Sequence, residues 1–174
     1  QGMVGVGMVG SSGRMDNFTV QILPPEWTLN QTDDFTPPAE LTRIDTSGAW
    51  NEASGTLTGA ADESAPAVQL IDLGTRLSAN NILEMEVDII TGGAAGFVFD
   101  RYDAYNYKFV ALDVANERVI IGHATSDDGI VIDASFARDL DAASTHRLKA
   151  KLHGAGIEVS VDNVLITSYG FNSA

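Results

Sequence analysis

In Asn81-Ile82-Leu83-Glu84-Met85-Glu86-Val87-Asp88-Ile89-Ile90, the residues Leu83, Met85, Val87 and Ile89 alternate with Glu84, Glu86 and Asp88. A period of two places the apolar side chains on one face and the carboxylates on the other, which is the pattern of a half-buried antiparallel strand. The downstream sequence repeats this pattern. Gly96-Phe97-Val98-Phe99, residues 105–112, Arg118-Val119-Ile120-Ile121-Gly122-His123 and Ile130-Val131-Ile132 read as short strands. His146-Arg147-Leu148-Lys149-Ala150-Lys151-Leu152 alternates basic and apolar groups, and Ile157-Glu158-Val159-Ser160-Val161-Asp162 and Val164-Leu165-Ile166-Thr167 follow. A turn over residues 113–117 and the pairs and triplets Asp127-Asp128-Gly129, Gly154-Ala155-Gly156 and Asp162-Asn163 supply the reversals. Many short strands at this spacing predict an all-β sandwich or barrel. Residues 134–143 have a mixed pattern that fits either a short helix or a loop with one helical turn.

Upstream the pattern is less regular. Leu23-Pro24-Pro25-Glu26 and Thr36-Pro37-Pro38-Ala39 break regular structure, because adjacent prolines remove backbone donors and restrict the preceding residue. Residues 23–40 therefore read as a proline-rich connection. Residues 48–59 read as a hairpin around a buried Trp50, and residues 67–73 as a further strand.

The 174 residues suffice for one β-sandwich domain with a real core, and the expectation is a single domain over 1–174. A formal charge of -14, from 10 Lys plus Arg against 24 Asp plus Glu, argues against nucleic acid and anionic lipid as partners. No apolar run approaches the ~18 residues of a membrane span, so no membrane insertion is expected. The glycine-studded start, Gln1-Gly2-Met3-Val4-Gly5-Val6-Gly7, has no basic flank and does not read as a signal peptide. The chain has no cysteine, which excludes disulfides and thiolate chemistry.

Taken in order from Asp33 to Thr167, the chain resembles the laminin-G-like, concanavalin-A-like jelly-roll modules. The resemblance is carried by the opening Asp33-Asp34-Phe35, the strand ending at Trp50 and the acidic-face strand. It continues through Gly96-Phe97-Val98-Phe99-Asp100-Arg101-Tyr102-Asp103-Ala104-Tyr105-Asn106-Tyr107 and the closing strands from His146 to Ile166. His146 stands where such modules carry Trp, and Asn163 where they carry the Gly of an Asp-Gly turn. The family's final strands are not found after Ser168, but Gly2-Met3-Val4-Gly5-Val6-Gly7 and Met15-Asp16-Asn17-Phe18-Thr19-Val20 are similar to them. Residues 1–22 are thus expected to be closing strands, either of this domain in permuted order or of a preceding repeat. The resemblance implies a module of an extracellular or cell-surface bacterial protein. Such modules occur in large adhesins and beside secreted polysaccharide-degrading enzymes, with a glycan and neighbouring modules of the same polypeptide as partners.

Three sets of candidate residues follow. Glu84, Glu86 and Asp88 project from one strand face at a spacing similar to that of jelly-roll glucanases, where two carboxyls must flank a sugar bond. This is the alternative of a glycan hydrolase or lyase; the solvated outer face of a sandwich explains the same pattern, and the chain is expected to be non-catalytic. Arg101, Tyr102, Asp103, Tyr105 and Asn106 crowd planar and polar groups into one turn, a composition suited to stacking on a sugar ring and bonding its hydroxyls. Tyr105, Tyr107 and Phe109 also share one strand face, so two tyrosines could equally be core. Asp16, Asp33 and Asp34 are the candidate calcium ligands, being hard oxygen donors brought near each other if the ends close one sandwich; Asp127, Asp128 and Asp133 form a second acidic group. Asp side chains that bond their own turns explain these as well. His123, His146 and His153 lack zinc-site spacing. Arg147, Lys149 and Lys151 are expected to pair across strands with Glu158 or with the acids of residues 83–90.

Overall fold

A computed structural model describes residues 29–36, 38, 41–62, 65–74 and 81–171. The chain divides into two compact units, Gln1–Gln31 and Thr32–Ala174. The second holds every described element. The sequence expectation for residues 1–22 lies outside the described residues.

Among the described residues twelve strands run in order: β1 (Thr42–Ser47), β2 (Ala49–Ala53), β3 (Thr56–Ala60), β4 (Val68–Asp72), β5 (Ile82–Ile89), β6 (Ala94–Phe99), β7 (Tyr107–Asp113), β8 (Arg118–Thr125), β9 (Gly129–Ala137), β10 (His146–His153), β11 (Gly156–Val161) and β12 (Val164–Gly170). Two four-stranded antiparallel sheets, β12-β11-β10-β5 and β6-β7-β8-β9, form the sandwich, and β1-β4 and β2-β3 form separate two-stranded sheets. β5 lies beside β10, far along the chain, and the next strand, β6, belongs to the other sheet. This crossing gives the jelly-roll character.

Alternation decides what faces inward. Leu148, Ala150 and Leu152 of β10 are buried opposite Val87, Met85 and Leu83 of β5, whereas Arg147, Lys149 and Lys151 lie opposite Asp88, Glu86 and Glu84. Val159 and Val161 of β11, Val110 and Leu112 of β7, and Val119 and Ile121 of β8 complete the core between the sheets. Fourteen buried residues share this cluster, enough to anchor all four central strands. The hairpin β11-β12 turns on Asp162 and Asn163, both with positive φ (52° and 64°), the backbone that a two-residue hairpin of this hand requires. Asn163 can take this backbone because Asn tolerates the left-handed region.

Residues 134–143 form no helix. The first part extends β9, and the segment beyond Ala137 is a loop whose Leu140, 4% exposed, plugs the core. The β-branched and aromatic residues of β9 pair with β8 across the whole span 118–125, and this ladder outweighs a weak local helical preference. The turn over 113–117 is one turn of 3-10 helix, Val114–Asn116. Trp50 is half-buried in the predicted hairpin; its ring covers Gly59 so closely that a Cβ there would sit 2.6 Å from it.

The outer face of the β6-β9 sheet carries a second apolar cluster of Tyr107, Phe109, Ala111, Ile120 and Ala124, with Val98 packed on it. Tyr107 and Phe109 are therefore packing residues, and burial pushes the Tyr107 hydroxyl above its usual pKa. Tyr105, by contrast, is exposed.

Candidate functional site

The carboxylates of β5 do project together, as the alternation predicts, but each faces a cation. Arg147 Nε and Nη2 donate to Asp88 Oδ1 and Oδ2 at 2.7 and 2.9 Å, and Lys149 Nζ lies 2.8 Å from Glu84 Oε1 and 3.9 Å from Glu86 Oε2. The Arg147 hydrogen bond holds the Asp88 carboxyl below its usual value of 3.8. A glycosidase acid needs the opposite shift, so that it keeps a proton near neutral pH. Arg147 and Lys149 thus take the cross-strand role expected of the basic stripe, with the β5 acids rather than Glu158 as partners.

A cleft of about 520 Å³ opens at one end of the sandwich, lined by Asp100, Tyr102, Asn106, Tyr107, Lys108, His123, Ala124, Asp133, Tyr169 and Phe171. Its construction follows from the strands. On β7 the inward positions are Lys108, Val110 and Leu112, and on β8 they are Val119, Ile121 and His123. Two of these rows end on a polar residue, and Lys108 and His123 are direct cross-strand partners. Where the apolar core stops, this sheet thus presents an ammonium and an imidazole side by side.

Each has a carboxylate beside it. Lys108 Nζ donates to Asp100 Oδ2 at 2.8 Å, and His123 Nδ1 lies 2.9 Å from Asp133 Oδ2. Backbone irregularities deliver both acids. Asp100 follows β6 with φ of 46°, left-handed backbone that Asp tolerates better than most side chains. Asp133 is the extra residue of a β-bulge, since Ile121 pairs with Ala134 and Gly122 with Ile132. Bulges re-aim side chains beside functional sites in this way. Gly122 is required there: a Cβ would fall 2.1 Å from the Val131 carbonyl oxygen and 2.6 Å from the Phe109 ring.

The rim is aromatic. Tyr102 is 88% exposed, and Phe171 packs edge-on against Tyr169 while the Lys108 ammonium sits 4.7 Å from its ring centre. The loop between β6 and β7 is tied by Asp103, whose Oδ1 accepts from the N–H groups of Tyr105 and Asn106 at 2.7 and 2.8 Å and whose Oδ2 accepts from Asn106 Nδ2 at 2.7 Å. The Tyr105 N–H, then the Asn106 side chain, holds the Asp103 carboxyl below its usual value. Tyr102 N–H donates to the Asn106 carbonyl at 2.9 Å and closes the loop. Of the turn residues singled out in the sequence, Tyr102 and Asn106 line the cleft, Asp103 fixes the loop that presents them, and Arg101 and Tyr105 are not among the lining residues. Sequence reasoning missed Asp100, Lys108, His123 and Phe171 as site residues, and had placed Asp133 in an acidic group. The available signal was the polar residue ending an otherwise apolar inward row.

Asp33 and Asp34 serve turns. Asp33 Oδ1 accepts from Phe35 N–H at 2.9 Å, and its other oxygen lies 3.4 Å from Leu41 N and 3.7 Å from the Arg43 guanidinium. Asp34 Oδ1 accepts from Thr36 N–H at 2.9 Å. These bonds tie Asp33 and Asp34 to their own turn and set a guanidinium beside Asp33; Asp16 lies outside the described residues. Among the described residues no group of three metal-ligating side chains comes together. His146 bonds Asp162 at 3.0 Å, and His153 lies in a shallow groove with Ile82, Lys151, Glu158 and Ser168 on the other sheet.

The architecture has a counterpart among solved structures. The chain is similar to a carbohydrate binding module, CBM66, from Bacillus subtilis, with a TM-score of 0.63 over 76% of this chain and 82% of that one, at 16% sequence identity. The likeness is one of fold. It supports the jelly-roll sandwich read from the alternation of residues 82–90. No protein-family model matches the chain, and no curated sequence matches it.

Proposed function

We propose that this chain is a non-catalytic glycan-binding module and that the cleft beside Tyr102 is where the sugar sits. The observation that carries the reading is the pairing, in one open cleft, of an almost fully exposed tyrosine with a Lys-Asp and a His-Asp pair. An aromatic face stacks on the C–H face of a pyranose, and donor-acceptor pairs grip its hydroxyls. A cleft of this size is within the ~300–1,000 Å³ typical of small-ligand sites. The neutralised acids on β5, and the fold shared with the Bacillus subtilis carbohydrate binding module, support binding rather than hydrolysis. The wider setting we propose is a repeat or accessory module of an extracellular or surface-attached bacterial protein, adhesin-like, beside other modules of the same polypeptide.

A glycan array with and without calcium tests this. Reproducible millimolar or tighter binding that is lost in Tyr102→Ala supports the reading, and the calcium arm decides whether the expected cation is needed. No binding to a broad set of bacterial, plant and marine glycans would contradict it.

A further inference from the structure

Building on the glycan reading, we infer that the cleft selects uncharged sugar rings with adjacent free hydroxyls and rejects carboxylated or sulfated ones. Three features point this way. First, the ammonium in the cleft is already neutralised, Lys108 by Asp100 at 2.8 Å, and His123 has the Asp133 carboxylate beside it at 2.9 Å. An anionic sugar would meet no spare positive charge there, and it would approach two carboxylates within a chain of net charge -14.

Second, the pairs leave atoms suited to hydroxyls. Each aspartate spends Oδ2 on its partner, and Oδ1 of Asp100 and of Asp133 makes no hydrogen bond among the described residues. Lys108 retains donor capacity beyond its bond to Asp100, because an ammonium has three N–H groups. With His123 Nδ1 held by Asp133, Nε2 is the ring nitrogen left to meet a ligand. Each pair therefore sets a side-chain nitrogen next to a carboxylate oxygen that no described residue bonds, and a hydroxyl can satisfy either because it both donates and accepts. A carboxylate or sulfate on the sugar can only accept, so it would leave both aspartate oxygens unmet and repelled.

Third, the two pairs are neighbours. Lys108 and His123 face each other across β7 and β8, where directly opposed side chains stand about 5 Å apart at Cβ, so one sugar ring can reach both. Tyr102 and Phe171 supply the apolar border on which a ring without charge can rest.

The test is isothermal titration of the full chain against two named sets. The neutral set is malto-, cello-, manno-, galacto- and fructo-oligosaccharides; the anionic set is oligogalacturonate, oligoguluronate and carrageenan oligosaccharides. The inference expects at least one neutral ligand to bind at least about tenfold tighter than every anionic one. It also expects Tyr102→Ala to abolish that binding, and the affinity to change less than about twofold when salt is raised enough to shorten the Debye length to a few ångströms. Asp100→Asn, which keeps the shape and unmasks the Lys108 charge, should improve oligogalacturonate binding several-fold. Anionic ligands binding as tightly as neutral ones, with Tyr102→Ala still disruptive, would overturn the inference and leave the glycan reading standing. Absence of binding by both sets, or binding indifferent to Tyr102→Ala, would overturn the glycan reading itself. The salt dependence of the unmodified chain decides the charge argument even if a variant fails to fold.

Discussion

Leu148→Ala is the sharpest test of the sandwich. Leu148 is fully buried in the middle of β10, opposite Val161 on one side and Val87 on the other. Truncation removes its transfer free energy and leaves a cavity, a combined cost of about 2–5 kcal/mol for buried leucine. Strands are hydrogen-bonded to β10 on both sides, so the backbone can close little of that space. The loss should therefore stay clear of the low end of the range, at about 3–4 kcal/mol. At about 2–4 °C per kcal/mol for a domain of this size, the melting temperature should fall by roughly 6–16 °C. Urea denaturation and thermal melting followed by circular dichroism measure both quantities. Lys149→Ala, one residue on, points to the opposite face and should change little. A loss below about 1 kcal/mol for Leu148→Ala, or a larger loss for Lys149→Ala, would mean that the strand is rotated by one residue and the core is misassigned.

Gly122→Ala should destabilise the chain by about 2 kcal/mol or more and distort the cleft, because its Cβ would collide with the Val131 carbonyl oxygen at 2.1 Å; denaturant midpoints and glycan titration report the two effects separately. Asp113 and Asp162 should make stability fall in acid. Burial raises the Asp113 carboxyl, but Arg118 and Asn116 outweigh it and hold the folded pKa below 3.8; for Asp162, burial is outweighed by the Arg147 N–H and His146. Their contribution is complete above the unfolded carboxylate pKa and is lost as pH drops through the lower folded values. Urea midpoints should then hold from neutrality to about pH 5 and decline below about pH 4, less steeply in Asp113→Asn. Reducing-end assays on the same oligosaccharide sets should show no turnover; product formation abolished by Glu84→Gln or Glu86→Gln would contradict the non-catalytic reading.

The sandwich was legible because burial imposes a period of two and nothing else in residues 82–90 or 146–152 competes with it. Local punctuation was equally readable at Asp162-Asn163, where the turn backbone has positive φ. What failed was the assignment of residues 134–143, whose conformation is set by pairing with β8 and by Leu140 entering the core, both long-range effects. The cleft was half legible. Tyr102 and Asn106 are local to one turn, and composition flagged them. Lys108 and His123 meet only through the β7-β8 register, and Asp133 reaches His123 only because a bulge skips one residue. The β5 carboxylates show the converse: their spacing suggested chemistry, and Arg147 and Lys149, some sixty residues away, give them another task.

Amide chemical-shift mapping with a bound neutral oligosaccharide asks directly whether the cleft holds the ligand. The account predicts that the largest changes fall on Tyr102, Asn106, Lys108, His123, Asp133 and Phe171, with the outer face of β5 and β10 silent. Changes centred instead on Glu84, Glu86, Asp88 and Lys149 would contradict it.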